Sequence, residues 1–394
     1  MKESQARQIL DYLHRRREGM VDLLSRLVEI ESPSDFPTSQ REIFKTLSDH
    51  FQALDYEVKR IPGASSAGML YARPLQRKRG GPSQLLLGHS DTVWPLGTLR
   101  QMPIRRDERL LKGPGAFDMK AGLVQMIYAL KALHELDFHP SVTPLVLINS
   151  DEETGSRDSQ TLICRLARAA SRVYVLEPSL GPSGKLKTAR KGVGSFVIRI
   201  QGRSAHAGLE PEAGASAILE LSYVIQKIYH LANPARGTTV NVGLVEGGLR
   251  PNVVAPESRA VVDVRVATEK EACRMEKQIR SLTPVTAGVS LAIQGRVGRP
   301  PLERTPRNRQ LWELAKELGQ HLSLQLEEGL AGGASDGNLT SLYTATLDGL
   351  GAVGGGAHAR HEFVDLEKMP QRSALLALLL LAPPLVPVPE RVKT

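Results

Sequence analysis

Hydrophobic residues follow two different patterns in the first 190 residues. Short unbroken hydrophobic runs occur at 85–87, 143–148 and 173–176. Runs of this kind are typical of strands that are buried on both faces. Residues 121–133 instead place hydrophobic residues every three or four positions, which predicts a helix. Buried strands separated by helices predict an α/β fold with a mostly parallel sheet flanked by helices.

The pattern changes after Lys191. Residues 195–201 and 258–268 alternate hydrophobic and polar positions, as strands with one face in a core do. Residues 215–231 and 269–282 have helical spacing. This block therefore predicts a separate α+β domain with an antiparallel sheet.

Length and the later pattern together predict the domain organisation. A chain of 394 residues is expected to form two domains. Helical spacing returns at 308–318, so the first pattern resumes after the α+β block. We predict an α/β domain built from residues 1–190 and 302–394, with an α+β domain of residues 191–301 inserted into it.

Charge does not indicate a nucleic-acid partner. The formal net charge is +9, but the basic residues are mostly scattered. The two densest basic runs, 15–17 and 77–79, have no aromatic or motif companion of the kind that nucleic-acid-binding proteins carry. We therefore expect no nucleic-acid partner.

Three further features bear on the compartment. The most hydrophobic run, 374–382, is too short to cross a membrane and predicts a buried helix, with membrane docking as the alternative. The first twenty residues contain no hydrophobic stretch of the secretory type. The two cysteines, Cys164 and Cys273, are too few for a disulfide framework or a cysteine-based zinc ribbon. We predict a cytoplasmic protein without a membrane partner.

Acidic and histidine side chains follow each of the three buried runs. Because ligands bind beyond the carboxyl ends of strands in open α/β sheets, three strands would present these side chains to one crevice. The residues are His89, Asp91, Glu152, Glu153 and Glu177.

Each of these signals has a simpler alternative. A His two residues before an Asp is often an ordinary surface pair, but Asp91 could also fix the tautomer of a metal-binding His89. Adjacent Glu152 and Glu153 on extended backbone would point to opposite sides, so one could bind metal while the other acts as a base; both could also be simply solvated. Glu177 follows a buried strand, where a carboxylate is costly unless something such as a metal pairs with it.

A fifth acidic residue lies in KGPGAFDMKAG, residues 112–122. The glycines indicate a tight turn, with Asp118 just before a helix that begins near Met119. Asp118 is therefore either a helix N-cap or a carboxylate whose two oxygens bridge two metal ions. Carboxylates mixed with imidazoles suit Zn²⁺, with Co²⁺ or Mn²⁺ as alternatives, and two ions that share one carboxylate form a known hydrolytic arrangement.

The segment GLGAVGGGAHARHE, residues 349–362, has two readings. Gly349, Gly351 and Gly354 spell the G-x-G-x-x-G of a dinucleotide-binding loop. That fingerprint must open a βαβ unit with an acidic residue about 20 positions later, and a leucine run stands there instead. The segment is therefore better explained as a loop that delivers His358 or His361 to a metal.

The motifs GHSDTVWP, GPGAFDMKAG, NSDEETGS, LEPS, GRSAHAG, NVVAP and GGGAHARHE occur in this order along nearly the whole chain. In this order they resemble the dinuclear zinc family of aminoacylases, acetylornithine and succinyl-diaminopimelate deacetylases, and glutamate carboxypeptidases. The resemblance implies a zinc-exopeptidase-like α/β domain with an inserted lid and dimerisation domain. It also selects His358 over His361, because the family pattern places Glu362 four residues after the ligand.

The resemblance implies a role for each candidate residue. Two Zn²⁺ per subunit would be held by His89 with Glu177 and by Glu153 with His358, while Asp118 bridges them and often forms a cis peptide with Met119. Asp91 would orient His89. Glu152 would be the general base, with a raised pKa, that takes a proton from a metal-activated water and returns it to the leaving amine.

The inserted domain would supply substrate contacts. By the resemblance, His206 would reach across a homodimer to stabilise the oxyanion, and Asn252 and Arg265 would hold substrate. Arginines bind carboxylates in a bidentate manner, so Arg265 comes first, Arg299 second and Arg250 last as a carboxylate clamp. Arg265 could also simply face outward on a strand, and Arg299 could simply mark a hinge.

The motifs GPGAFDMKAG and LGAVGGGAHA favour the glutamate carboxypeptidase group. We therefore predict a carboxypeptidase that cleaves an amide bond next to a free amino-acid carboxylate in a small peptide or N-acyl amino acid. The main alternative is an N-acyl-amino-acid deacetylase of the aminoacylase or acetylornithine type. A remote alternative is a non-catalytic metal-binding dimer, which the complete ligand set and Glu152 argue against.

Overall fold

The computed structural model describes residues 3–77 and 80–385. Within them the chain forms two compact units. Unit 1 contains the described residues up to Thr188, Arg304–Leu330, and those from Ser335 onward. Unit 2 contains Ala189–Glu303 and Ala331–Ala334, and the second of these segments was not expected from the sequence. Of the basic run 77–79, Lys78 and Arg79 lie outside the described residues.

The helices are numbered in chain order. They are α1 (Glu3–Arg15), α2 (Arg17–Glu29), α3 (Arg41–Gln52), α4 (Thr98–Gln101), α5 (Ala121–Glu135), α6 (Gln160–Ala169), α7 (Ala217–His230), α8 (Glu269–Arg280), α9 (Pro306–Gln320), α10 (Asp336–Thr340) and α11 (Lys368–Leu381).

The strands are numbered in the same way. They are β1 (Tyr56–Ile61), β2 (Met69–Pro74), β3 (Ser83–His89), β4 (Arg105–Arg106), β5 (Leu110–Lys112), β6 (Thr143–Asn149), β7 (Arg172–Val175), β8 (Leu186–Arg190), β9 (Gly192–Gln201), β10 (Thr239–Gly247), β11 (Glu257–Val266), β12 (Ser290–Arg299), β13 (Glu328–Ala331), β14 (Ala345–Leu347), β15 (Gly354–Gly355) and β16 (Phe363–Asp365).

The main sheet of unit 1 has six strands in the order β1-β2-β6-β3-β7-β14. Strands β6, β3, β7 and β14 are parallel to one another. At one edge of the sheet, β1 pairs antiparallel with β2, and β2 pairs antiparallel with β6. The three hydrophobic runs form β3, β6 and β7, which confirms the predicted α/β fold with a mostly parallel sheet. The register sets His89 beside Asn149, so β3 and β6 end at the same level.

The C-terminal hydrophobic run forms the buried helix α11, as predicted. Eleven of its residues are buried, and it packs against α5 and α1. The sheet provides donors for carbonyls at and just beyond the end of α11: Tyr174 Oη donates to Leu379 O, and buried Arg172 donates to Ala382 O and Pro383 O. Polar groups of the sheet thus bind carbonyl groups around the C-terminus of α11, where backbone carbonyls lack partners within the helix.

Unit 2 has a four-stranded antiparallel sheet in the order β10-β11-β9-β12. The predicted strands are β9 and β11, and the predicted helices are α7 and α8, whose apolar sides cover one face of the sheet. Side chains of Ser216 and Thr268 accept N–H groups in the first turns of α7 and α8. The domain built from these elements is therefore α+β. No helix within the described residues combines the length and hydrophobicity needed to cross a bilayer.

Candidate metal centre

Side chains of interest lie at the carboxyl ends of three parallel strands of the main sheet. His89 is the last residue of β3, Glu152 and Glu153 follow β6, and Glu177 lies two residues beyond β7. The backbone at Glu152–Thr154 is a 3₁₀ turn, so our expectation of extended backbone there was wrong. The turn forms because Asp91 Oδ1 and Oδ2 accept the N–H groups of Glu152 and Glu153, and Gly155 ends it with φ +96°.

Asp118 lies in the segment Ala116–Lys120 that precedes α5, and its own backbone is not helical, with φ −113° and ψ 95°. The helix begins at Ala121 rather than near Met119, so Asp118 is not its N-cap. The Asp118–Met119 peptide bond is cis. Asp118 is largely buried and directs its carboxylate to the carboxyl ends of the sheet strands, where His89 lies.

The two oxygens of Asp118 face two different histidines. Oδ1 lies 3.3 Å from His89 Nε2, and Oδ2 lies 3.4 Å from His358 Nε2. On the first side, Glu177 Oε1 is 3.4 Å from His89 Nε2. On the second, Glu153 Oε2 is 3.2 Å from His358 Nε2. The predicted ligands thus form two pairs with Asp118 between them.

Glu152 also lies in this cluster. One of its carboxylate oxygens is within 4.8 Å of ligand atoms of both His89 and Glu177. Ligand atoms of His89, Asp118 and Glu153 form a second group, in which all atoms lie within 4.8 Å of one another. Glu152 is therefore close enough to the first side either to serve as a base or to bind a metal itself.

Asp91 fixes this arrangement in a different way from the one we expected. His89 Nδ1 is 3.0 Å from the backbone carbonyl oxygen of Asp91 and 3.4 Å from its Oδ1. The carboxylate mainly accepts other hydrogen bonds, from the N–H groups of Glu152 and Glu153 and from Ser34 Oγ at 2.7 Å. Asp91 thus orients the histidine through its backbone and the acidic turn through its side chain.

His358, not His361, meets the carboxylates. His358 adopts a left-handed backbone with φ +60° and is half exposed, whereas His361 is exposed outside the cluster. The glycines before it allow close backbone packing: a Cβ at Gly351 would collide with the carbonyl oxygens of Leu176 and Glu177. Glycine therefore lets this loop lie against the strand end that carries Glu177.

Buried Arg372 of α11 supports the same loop. Its guanidinium donates to the carbonyl oxygens of Gly351, Gly184 and Gly349. Burial lowers the pKa of Arg372 to about 10, so it stays charged at neutral pH. Ser34, Glu362 and Arg372 were not assigned roles from the sequence, because each acts through a contact distant along the chain.

The charges in the cluster favour cations. Burial lowers the pKa of His89, but Asp118, Asp91 and Glu177 outweigh burial and hold this pKa well above its usual value. Asp118 and Glu153 raise the pKa of His358 to about 10. Burial raises the pKa of Glu153, while the two histidines hold the pKa of Asp118 far below its usual value. A metal ion would replace protons on these imidazoles.

The residues fit divalent ions. Within residues 3–77 and 80–385, His89 Nε2, Asp118 Oδ1 and Glu153 Oε1 are buried atoms that make no hydrogen bond. Buried polar atoms without partners are costly, and a metal ion bound between them removes that cost. The donor set of imidazole and carboxylate is typical of Zn²⁺, Co²⁺ and Mn²⁺.

The remaining predicted residues lie in unit 2, where four of them form two pairs. Exposed His206 and Asn252 are in loops joined by a hydrogen bond from Ala207 N to Asn252 O. Arg265 and Arg299 both pair with Val193, from the strands on either side of it, so their positions share one face of the sheet. Arg265 forms a bidentate ion pair with Asp263. Arg250 is exposed in the loop before β11.

Comparison with known proteins gives the following matches. A family model described as peptidase family M20/M25/M40 matches residues 85–382. Carboxypeptidase G2 of Pseudomonas sp. (strain RS-16) is 28% identical over 375 residues, which cover 92% of this chain and 89% of that protein.

Two solved structures are similar over most of their length. Aminopeptidase PepT from Bacillus cereus ATCC 10987 gives a TM-score of 0.78 at 23% identity, over 92% of this chain and 98% of that chain. The YXEP protein of Bacillus subtilis, a dinuclear metal-binding peptidase from the M20 family, gives a TM-score of 0.68 at 14% identity, over 93% and 98% of the two chains. At these identities the likeness concerns the fold.

Proposed function

This chain belongs to the peptidase family M20/M25/M40 and is a metal-dependent peptidase or amidohydrolase, and from that premise we propose that it is a carboxypeptidase. It would cleave the amide bond next to a free amino-acid carboxylate in a small peptide or N-acyl amino acid. The observation that carries the proposal is Asp118, whose two oxygens face His89 and His358 separately. A carboxylate in that position suits two Zn²⁺ ions, with Co²⁺ or Mn²⁺ as alternatives.

The residues have distinct tasks in this proposal. His89 with Glu177 would hold one ion, and Glu153 with His358 the other. The ions would polarise the substrate carbonyl and lower the pKa of water. Glu152 would take the proton from the attacking water and return it to the leaving amine, which requires a carboxylate within reach of both atoms. Asp91 would keep Glu152 and Glu153 in place through their N–H groups.

We propose Arg265 and Arg299 as the clamp for the substrate carboxylate. Both arginines flank Val193 on the same face of the unit 2 sheet, and guanidinium groups bind carboxylates in a bidentate manner. Arg265 already holds Asp263 in this way, so the substrate would compete with an internal carboxylate. Exposed Asn252 would add a hydrogen bond to the substrate.

A substrate panel tests the proposal. We expect hydrolysis of dipeptides or acyl-glutamates in the presence of Zn²⁺ or Co²⁺, and at least 10²-fold less when the terminal carboxylate is blocked as an amide, because the blocked substrate offers the two arginines no carboxylate to bind. Arg265→Ala should raise KM for the free acid and leave the blocked substrate unaffected. Equal rates on free and blocked substrates would contradict a carboxylate clamp.

The same panel addresses the alternatives. N-acetyl-amino acids are the substrates expected of an N-acyl-amino-acid deacetylase. A clear preference for them over peptides and acyl-glutamates would replace the carboxypeptidase assignment. The name of carboxypeptidase G2, whose similarity extends over most of both chains, supports the first assignment. No turnover of any substrate by the metal-loaded protein would favour the non-catalytic dimer.

We also propose that unit 2 is a lid and dimerisation domain. Its strand β10 is at the edge of the sheet and exposes Leu244 and Val245, and α7 exposes Ile218, Leu219 and Tyr223. An unpaired edge strand beside exposed apolar side chains is a typical protein interface. Two copies related by a twofold axis would cover each other's edges.

In such a homodimer, exposed His206 would stabilise the oxyanion in the partner's site. We expect inactive His206→Ala and inactive Glu152→Gln subunits to recover activity when they are mixed, because each mixed dimer then contains one complete site. The measurement is the hydrolysis rate before and after subunit exchange. No recovery, in a mixture that sedimentation shows to contain dimers, would contradict a shared site. The cytoplasmic location predicted from the sequence stays a prediction.

A further inference from the structure

Glu362 is fully buried, yet its carboxylate accepts four hydrogen bonds. Oε1 accepts the N–H groups of Phe117 at 2.9 Å and Asp118 at 3.0 Å. Oε2 accepts the N–H of Gly115 at 2.9 Å and the indole N–H of Trp94 at 3.0 Å. An ionised carboxylate offers about four acceptor positions, so all of them are used.

These donors lie on the segments that carry the proposed ligands. Asp118 is itself the carboxylate between the two histidines. Trp94 is in the loop that follows His89, and Glu362 follows His358 by four residues. One buried side chain therefore joins the chain segments of three proposed ligands, which come from distant parts of the sequence.

The four donors require two accepting oxygens, which an ionised carboxylate provides and an amide of the same shape does not. Burial holds the pKa of Glu362 above its usual value, although the N–H groups of Asp118 and Gly115 and the indole of Trp94 lower it. A glutamine at this position would keep one oxygen for two of the donors. Its NH₂ group would face the N–H groups of the other two donors, and an NH₂ group cannot accept hydrogen bonds from them.

We propose that Glu362 is a positioning residue of the metal centre, which holds Asp118 and His358 in the relative position that two ions require. The inference rests on the proposed metal site and goes beyond it by assigning a role to a residue that touches neither metal nor substrate. Side chains that support metal ligands in this way typically contribute a factor of 10 to 100 in metal affinity.

The test measures Co²⁺ affinity of metal-free protein, by competition with a chromogenic chelator, for wild type and Glu362→Gln. We expect Glu362→Gln to bind Co²⁺ about 10-fold to 100-fold more weakly. The matched control is Glu220→Gln in unit 2. Glu220 is also fully buried and accepts the backbone N–H groups of Val285 and Thr286. Urea-induced unfolding of the metal-free proteins should show destabilisation in both variants, but the affinity should change only in Glu362→Gln.

Co²⁺ affinity of folded Glu362→Gln within twofold of wild type would overturn the proposal, as would an equal loss in Glu220→Gln. If Glu362→Gln does not fold, Trp94→Phe removes one of the four donors and leaves the backbone donors. We then expect a smaller loss of affinity in the same direction, and an unchanged affinity would overturn the proposal. A wild type that binds no Co²⁺ would instead contradict the proposed metal site itself, so the two failures are distinguishable.

Discussion

Glu152→Gln is expected to lower kcat for the preferred amide substrate by about 10³-fold to 10⁴-fold, while the protein keeps both metal ions. Glutamine has nearly the shape of glutamate but cannot accept the proton of the attacking water or return it to the leaving amine. A positioned acid–base group typically contributes 10²-fold to 10⁴-fold, and Glu152 would act in both steps. The loss corresponds to about 4–5.5 kcal/mol of transition-state stabilisation.

The metal content of this variant decides between two roles for Glu152. Its carboxylate lies close enough to His89 and Glu177 to be a ligand rather than a base. A base can be replaced without loss of metal, so we expect elemental analysis to give two ions per subunit in both wild type and variant. Glu313→Gln, an exposed change on α9, serves as the control and should retain full activity. A variant that loses an ion would identify Glu152 as a ligand.

His358→Ala is expected to reduce the bound metal from two ions to one per subunit and to lower kcat at least 10²-fold. The imidazole lies 3.2 Å from Glu153 and 3.4 Å from Asp118, so its removal leaves one ion without a nitrogen ligand. Remaining carboxylates cannot replace that donor without moving. Metal content after exhaustive dialysis, together with the hydrolysis rate, measures both effects.

The neighbouring histidine provides the matched control. His361 is in the same loop but exposed outside the cluster, so His361→Ala should retain both ions and nearly full activity. The reverse result, with full metal in His358→Ala and loss in His361→Ala, would show that the loop delivers the other histidine. Such a result would also remove the reason for placing Asp118 between two ions.

The position of the candidate site was predictable, because neighbouring parallel strands have their carboxyl ends on the same side of the sheet. The hydrophobic runs at 85–87 and 143–148 identify β3 and β6, and their register sets His89 beside Asn149. Residues that directly follow neighbouring parallel strands begin close to one another at the carboxyl ends of the sheet. The family resemblance selected His358 over His361, because only the motif order connects a residue so late in the chain with the other four proposed ligands.

Edge strands were missed for local reasons. In β10 the register shifts between Val242 and Leu244, so the alternation of hydrophobic and polar residues is interrupted. Gly295 and Gly298 in β12 leave two positions without side chains, which weakens its alternation. Hydrophobic periodicity detects strands with one regular buried face, and neither strand has one.

The finer geometry of the site depends on contacts between distant residues. Extended backbone at Glu152 was a reasonable expectation after a strand. The Asp91 carboxylate, however, accepts the N–H groups of Glu152 and Glu153, and the backbone forms a 3₁₀ turn. The buried carboxylate of Glu362 has no local signature, because its donors lie more than 200 residues earlier. Tertiary hydrogen bonds of this kind are not encoded in the spacing of any one segment.

The central claim is a dinuclear hydrolytic site, and stepwise metal addition tests it most directly. Metal-free protein would be titrated with Co²⁺ while hydrolysis of the preferred substrate and bound metal are followed together. We predict no activity without metal and maximal activity at two ions per subunit. A variant that lacks Asp118 should show no such maximum. Full activity of the metal-free protein, or saturation at a single ion per subunit, would contradict the claim.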